Sequence, residues 1–271
     1  MKHVKKRGKK TLMGELASAT LILLFFSFIT LWVNKLSTNA AIPVTAINQN
    51  SSQQEEISTK LGKNFENPED TILDVPYLSQ EGILPTGCEV TSAAMVLQYW
   101  GVDIRPEALA DMLPCEYLFW EDGLLYGPDP NEFFVGSPFD PNSYGCYAPV
   151  IASVIPEADD SMTTQVLSHT SLEELYEKYV LQGIPILIWC TIQMLESSDG
   201  TSWILPDGEE FVWRRNEHCM VLIGRKGEDY ICLDPYESIG QRAIDGELLE
   251  KRYQELGEQA VVVLPKEEVM E

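Results

Sequence analysis

Two periods of apolar residues organise the chain. From residue 88, Val90, Ala93, Ala94, Leu97 and Trp100 recur at three- and four-residue spacing, which predicts a helix buried on one face and ending at Trp100-Gly101. Its start is marked by Pro85, which disfavours helix in the residue before it, and by Gly87, which lets the chain turn closely. A second, short helix is expected over 106–113, with Pro106 in its first turn. Ser171-Leu172-Glu173-Glu174 has the capping-box pattern and predicts a helix over 171–182, stopped by Gly183. The continuous apolar run 185–190 then reads as a buried strand. Segments 218–224 and 230–233 read as two strands joined by the turn Lys226-Gly227-Glu228-Asp229, as in a hairpin. An amphipathic helix over about 245–256 precedes a last strand, 260–264. With a short strand over 71–77 leading in, helices come first and an antiparallel sheet follows, the order of an α+β domain.

The pattern breaks in three places. Between Pro114 and Pro156 it gives way to Pro, Gly, Asp and aromatics, and a loop of that length inside a compact domain is usually functional. Its aromatics (Tyr117, Phe119, Trp120, Tyr126, Phe133, Phe134, Phe139, Tyr144, Tyr147) either line a cleft for an extended substrate or fill a small core of the loop's own. Residues 196–215 read as an excursion with a turn at Pro206-Asp207-Gly208. Residues 34–70, rich in Ser, Thr, Asn, Gln and Glu with no sustained period, cannot bury enough surface to offset chain entropy and read as a flexible linker.

At the N-terminus, residues 1–15 form a basic tail and residues 16–33 run without a charge. Eighteen such residues are about the minimum for a helix across a bilayer. Six of the 19 basic residues lie in the first ten positions, and Lys35 alone follows the span closely, so the tail is expected in the cytoplasm and residues 71–271 outside. A cleaved signal peptide is the alternative. It would normally have a shorter apolar region, and Thr38-Asn39-Ala40 is a poor cleavage site, so a retained signal anchor is the reading adopted. Either way the folded body is exported.

Charge narrows the function. The formal net charge is −23, and because seven basic residues and one acid fall in residues 1–35, the remainder carries −29. Such a body repels nucleic acid and anionic polymers, so no nucleic-acid partner is expected.

The chemistry points to Cys88. At a helix start, unpaired N–H groups and the positive end of the dipole favour a thiolate, which is the nucleophilic form. The bland alternative is a small buried hydrophobe. A cysteine nucleophile needs a base, and the chain has three histidines. His3 lies in the tail and His169 in polar sequence before the capped helix. His218 opens an apolar strand, Cys219-Met220-Val221-Leu222-Ile223, where it is expected at the mouth of the sheet. Asp234 ends the neighbouring strand and is the expected orienter of the imidazole, ahead of Asp229, although an Asp-Pro turn alone would account for it. Gln80, on the approach loop, is placed to aim an amide N–H beside the Cys88 backbone N–H as an oxyanion donor.

Gln80, the Thr86-Gly87-Cys88-Glu89 helix start, His218 on a strand and Asp234-Pro235 resemble, in order and spacing, the papain-like double-glycine leader peptidase family, specifically its free-standing exported relatives. The stretches Gly127-Pro128-Asp129-Pro130-Asn131, Gly136-Ser137-Pro138 and Tyr144-Gly145-Cys146-Tyr147-Ala148-Pro149 also resemble an insertion seen in those relatives. The resemblance covers about residues 74–264. It implies a papain-like α+β fold with Cys88 as nucleophile, His218 as base, Asp234 as orienter and Gln80 as oxyanion donor, acting on a peptide or protein substrate with no metal or other cofactor. Transporter-linked members carry an export unit and an ATPase after the peptidase domain, whereas this sequence ends at Glu271, so a free-standing, outward-facing enzyme is expected.

Three other readings stand beside this one. One is a cell-wall amide hydrolase or acyl transferase, and another is an inactive papain-like module that binds peptides or envelope partners. A zinc site built from Cys190, His218, Cys219 and Cys232 is disfavoured, because no C-x-x-C pair is present and adjacent strand residues point to opposite faces. Cys190, Cys219 and Cys232 are expected to be buried and inert. Cys115 and Cys146 flank the insertion and would suit a disulfide, although sequence cannot fix connectivity. Oligomeric state is not readable from the sequence.

Overall fold

The computed structural model describes residues 71–236 and 240–266, and the expected linker and apolar span 16–33 lie outside them. Among the described residues, no helix is long and apolar enough to cross a membrane. Helix α1 (Cys88–Tyr99) and the short α2 (Pro106–Ala110) come first, as the periodicity predicts. Strands β1 (Cys115–Glu116), β2 (Phe119–Glu121), β3 (Leu124–Tyr126) and β4 (Phe134–Val135) follow, then α3 (Ala148–Ala158), β5 (Met162–Leu167) and α4 (Leu172–Lys178). The rest is β6 (Ile186–Thr191), β7 (Asp199–Ile204), β8 (Glu210–Arg214), β9 (Glu217–Lys226), β10 (Asp229–Leu233), β11 (Gln241–Asp245), α5 (Gly246–Glu255) and β12 (Ala260–Pro265).

The centre is a six-stranded antiparallel sheet in the order β11-β10-β9-β6-β12-β5. Its middle strands read as unbroken apolar runs because both their faces are covered: every residue of β6 and the run His218–Gly224 of β9 are buried. The flanking strands β11 and β5 alternate with exposed residues, as edge strands do. The α+β class is therefore as the sequence predicts.

Local signals set the helix ends. Ser171 accepts the Glu174 N–H at 3.2 Å, and Asp245 accepts the Leu248 N–H at 2.9 Å, capping α4 and α5. At α1 the boundary residue is Gly87, where a Cβ would lie 2.7 Å from the Leu84 Cβ. The approach loop folds so tightly onto the helix start that a side chain there has no room.

Two expectations change. Residues 114–156 are not one structureless loop: α3 occupies its end, with Pro149 in the first turn and Pro156 in the last, so the two prolines that read as breakers sit within a helix. The insertion also carries β1 to β4. Its aromatics divide, with Phe134 and Tyr147 buried while Tyr117, Phe119, Trp120 and Phe139 face solvent. Tyr144 and Tyr147 neither line the loop's own core nor stand free. They pack on Trp203 and Trp213 of the β7–β8 hairpin, Tyr147 stacking on Trp213 at 5.5 Å between ring centres. The second change concerns the lead-in segment 71–77, which forms a single bridge, Ile72 with Gly224, in place of a strand.

The insertion is tied to the central sheet by the Trp189 indole, which donates to the Cys146 carbonyl at 2.9 Å. Cys115 and Cys146 are free thiols, and no disulfide joins them.

Replacing Gly87 with alanine should lower stability by about 1–3 kcal/mol, since the added methyl overpacks against Leu84. Chemical denaturation of the full-length protein measures this, and an unchanged midpoint would show that the helix start is not as tightly packed as described.

Candidate active site

The predicted residues converge at one end of β9. His218, second in that strand and 2 % exposed, presents Nε2 to Asp234 Oδ1 at 2.7 Å. Asp234 follows β10, and the antiparallel pairing of β9 with β10 brings the two side by side. The carboxylate is fully buried yet well satisfied: Arg242 donates to Oδ2 at 2.7 Å and the Tyr236 N–H to Oδ1 at 3.0 Å. Burial by itself would raise the Asp234 carboxyl, but the bonds and charges of His218 and Arg242 outweigh it and hold the pKa down at about 2. This is the environment of an orienting carboxylate, with one oxygen fixing the imidazole and leaving Nδ1 as the ring nitrogen for a second partner.

Helix α1 brings Cys88 to the same end. Ser92, one turn further along the helix, donates through Oγ to the Cys219 carbonyl at 3.1 Å, and the Cys219 N–H lies against the Cys88 sulfur. The nucleophile candidate thus rests on the peptide unit that follows His218. Among the described residues, however, the side chain that accepts from the Cys88 thiol is Glu89, through Oε2 at 3.3 Å, and no hydrogen bond joins Cys88 to His218. Cys88 as a whole is 6 % exposed.

Its ionisation differs from the expectation drawn from the helix start. Burial, followed by the nearby carboxyls of Glu89 and Glu217, pushes the Cys88 thiol well above its ordinary value. The partial positive charge of a helix N-terminus falls short of those two opposing effects. Burial and these two carboxyls thus oppose the thiolate, and a positive partner nearby would favour it.

Gln80 is hung from the same region. Its backbone N–H donates to the Pro235 carbonyl at 2.9 Å, tying the approach loop to the residue after Asp234. Its side-chain N–H groups turn to the carbonyls of Leu84 and Pro85 at 3.3 and 3.2 Å, both long bonds, and Oε1 is buried without a partner among the described residues. Gln80 is in place beside the helix start, with its amide engaged by its own loop.

The family model described as "Peptidase_C39 like family" matches residues 72–261. The chain belongs to that family. It is 30 % identical over 182 residues, 66 % of this chain and 70 % of the relative, to the uncharacterized protein YvpB of Bacillus subtilis. It is also similar to a candidate C39-like peptidase from Bacillus anthracis solved by crystallography, with a TM-score of 0.64, 31 % identity and coverage of 73 % of this chain and 98 % of that one. A double-glycine motif protease of an AMS/PCAT transporter, solved with a leader peptide, matches at 16 % identity and a TM-score of 0.45, over 72 % of this chain and 95 % of that one. The resemblance read from Gln80, Cys88, His218 and Asp234 therefore names the right family, and a cysteine peptidase-like function goes with it.

Reading the sequence of this C39-like chain missed the two glutamates. Glu89 is fully buried beside the thiol, its other oxygen Oε1 accepting the Cys146 N–H at 2.8 Å. Burial raises its carboxyl pKa, and burial together with Glu89 raises that of Glu217 further. The available signal was position: each sits next to a predicted site residue, in Cys88-Glu89 and Glu217-His218. Cys190, Cys219 and Cys232 are buried, and burial raises all three thiols, as anticipated.

Two outcomes follow from these electrostatics. The Asp234 pKa is depressed on folding, so its stabilising contribution is present above about pH 4 and is lost as pH falls through about 2, with a size of roughly 2 kcal/mol. Denaturant titrations of the wild type between pH 5 and 2 should lose that much more stability than those of Asp234→Asn, and equal slopes would refute the assignment. Glu89→Gln removes the carboxyl facing the thiol and supplies an amide donor in its place. Iodoacetamide should label Cys88 faster at neutral pH in that variant, by mass-spectrometric mapping, because a carboxyl that opposes the thiolate has been removed.

Proposed function

We propose that the chain is an outward-facing thiol peptidase, anchored in the membrane by residues 16–33, which cuts peptide bonds with Cys88, His218, Asp234 and Gln80. The observation that carries the reading is the buried His218–Asp234 pair, set on the strand whose backbone abuts the Cys88 sulfur. A buried imidazole held by a carboxylate through one nitrogen is suited to exchange a proton through the other.

The steps follow from these placements. The thiol hydrogen turns from Glu89 to His218 Nδ1, and Asp234 stabilises the imidazolium through Nε2–H. The thiolate attacks the substrate carbonyl carbon, and the resulting oxyanion takes the Cys88 backbone N–H and one N–H of Gln80, released from its long bond to Leu84 or Pro85. The imidazolium gives its proton to the leaving amine as the C–N bond breaks. A water, deprotonated by His218, then hydrolyses the thioester and restores the thiol.

A second reading, a papain-like module that binds peptides without cutting them, draws on the resting contacts: the thiol hydrogen on Glu89 and the Gln80 amide on its own loop. Incubating the full-length protein with a peptide library, beside Cys88→Ala, separates the two. The peptidase reading expects new termini with wild type only; binding to both proteins with no cleavage would install the second reading.

His218→Ala should abolish turnover, and Asp234→Asn should be milder than Asp234→Ala because an amide still holds the ring. For the anchor, protease added to intact cells should remove the body and spare the basic tail. A body that resists digestion until the membrane is broken would refute the outward orientation.

A further inference from the structure

At the start of β9, the Cys88 sulfur and one carboxylate oxygen each from Glu89 and Glu217 lie within 4.8 Å of one another. We propose that these three side chains form a zinc-binding site, distinct from the strand set Cys190, His218, Cys219 and Cys232 weighed from the sequence. The donors suit the ion. Zinc is bound by thiolate at about 2.3 Å and carboxylate oxygen at about 2.0–2.2 Å in tetrahedral sites, which sets donor-to-donor separations of roughly 3.5 Å. Cys88 Sγ and Glu89 Oε2 are already 3.3 Å apart. The sulfur selects zinc over calcium or magnesium, which prefer all-oxygen shells.

Three features favour a cation here. Glu217 Oε1 is buried and has no hydrogen-bond partner among the described residues. No lysine or arginine forms an ion pair with Glu89 or Glu217 among those residues, although both acids lie against a buried thiol. Backbone is bared to let the carboxylates converge: a Cβ at Gly145 would lie 2.7 Å from Glu89 Oε1 and 2.9 Å from Glu217 Oε2. The Cys146 N–H, donating to Glu89 Oε1, orients the ligand from the outer shell and leaves Oε2 for the metal.

Binding needs no oxidant. The thiol proton, and any proton held by the two carboxyls, pass to solvent as the Zn–S and Zn–O bonds form, so affinity rises with pH. The chain supplies three ligands, and the fourth position falls to solvent. The site does not depend on Cys88 being catalytic. If the peptidase reading also holds, bound zinc occupies the nucleophile and acts as a reversible inhibitor.

The test uses metal-free full-length protein and reads no peptidase activity, so its failure is separate from failure of the peptidase reading. Cobalt(II), the spectroscopic stand-in, should produce a sulfur-to-cobalt charge-transfer band at one equivalent, displaced by zinc and absent in Cys88→Ser. Zinc should also slow iodoacetamide labelling of Cys88, and Glu217→Gln should weaken that protection by roughly tenfold or more. Without zinc, Cys88 in Glu217→Gln should label at least as fast as in wild type. Absence of the band, or failure of zinc to protect wild-type Cys88, overturns the proposal whether or not the variant folds. Undiminished protection in a Glu217→Gln protein with a native circular dichroism spectrum overturns it as well.

Discussion

Everything at the site depends on how the first turns of α1 dock on β9. Cys88 and Ser92 are one helical turn apart and face the same way, so one contact places both. The Ser92 hydroxyl locks onto the Cys219 carbonyl, and the Cys88 sulfur lies against the N–H of that same residue. The dock is rigid because each partner is buried for its own reasons. The helix is buried along its first ten residues, and β9 is buried along both faces between β6 and β10. A papain-like architecture thus turns two long-range elements, 130 positions apart in sequence, into neighbours with little freedom to slide.

Around that dock, three carboxyls meet three different fates. Asp234 is supplied with an imidazole, a guanidinium and a backbone N–H, and stays charged. Glu89 has a backbone N–H and a thiol, while Glu217 has one buried oxygen with no partner among the described residues. Removing a carboxylate from water costs several kcal/mol when no counter-charge is supplied. Asp234 escapes that cost through its partners, whereas burial raises the carboxyl pKa of both glutamates. The same physics that fixes the imidazole on one side of His218 therefore restrains the thiol on the other.

Much of this was legible in the sequence, and the reasons are particular. The helix start at Cys88, the cap at Ser171, the buried run of β6 and the hairpin carrying His218 and Asp234 are local patterns, each readable within one short stretch of sequence. Pairing His218 with Asp234 needed only the hairpin. What was hidden depends on distance. Helix α3 was masked by two prolines that are tolerated at its ends, and β11 has the mixed pattern of an edge strand. Tyr144 and Tyr147 find their partners on β7–β8, more than fifty residues on. The meeting of Glu89 with Glu217 across the α1–β9 dock leaves no local trace, because a lone glutamate beside a site residue reads as a solvated neighbour until the fold buries it.

That hidden pair also explains why the ionisation of Cys88 could not be inferred from helix position alone. A helix N-terminus contributes about half a charge, spread over several N–H groups, and its effect is largest where solvent or counter-charge does not compete. At Cys88 the competing terms are a nearly dry environment and two carboxyls. Positive charge nearby would favour the thiolate, and two sources are proposed: a proton moved onto His218, which catalysis would use, and a divalent cation bound by the glutamates, which would block it. Both act on one sulfur, so the chemistry of the site turns on which of them the thiolate meets first.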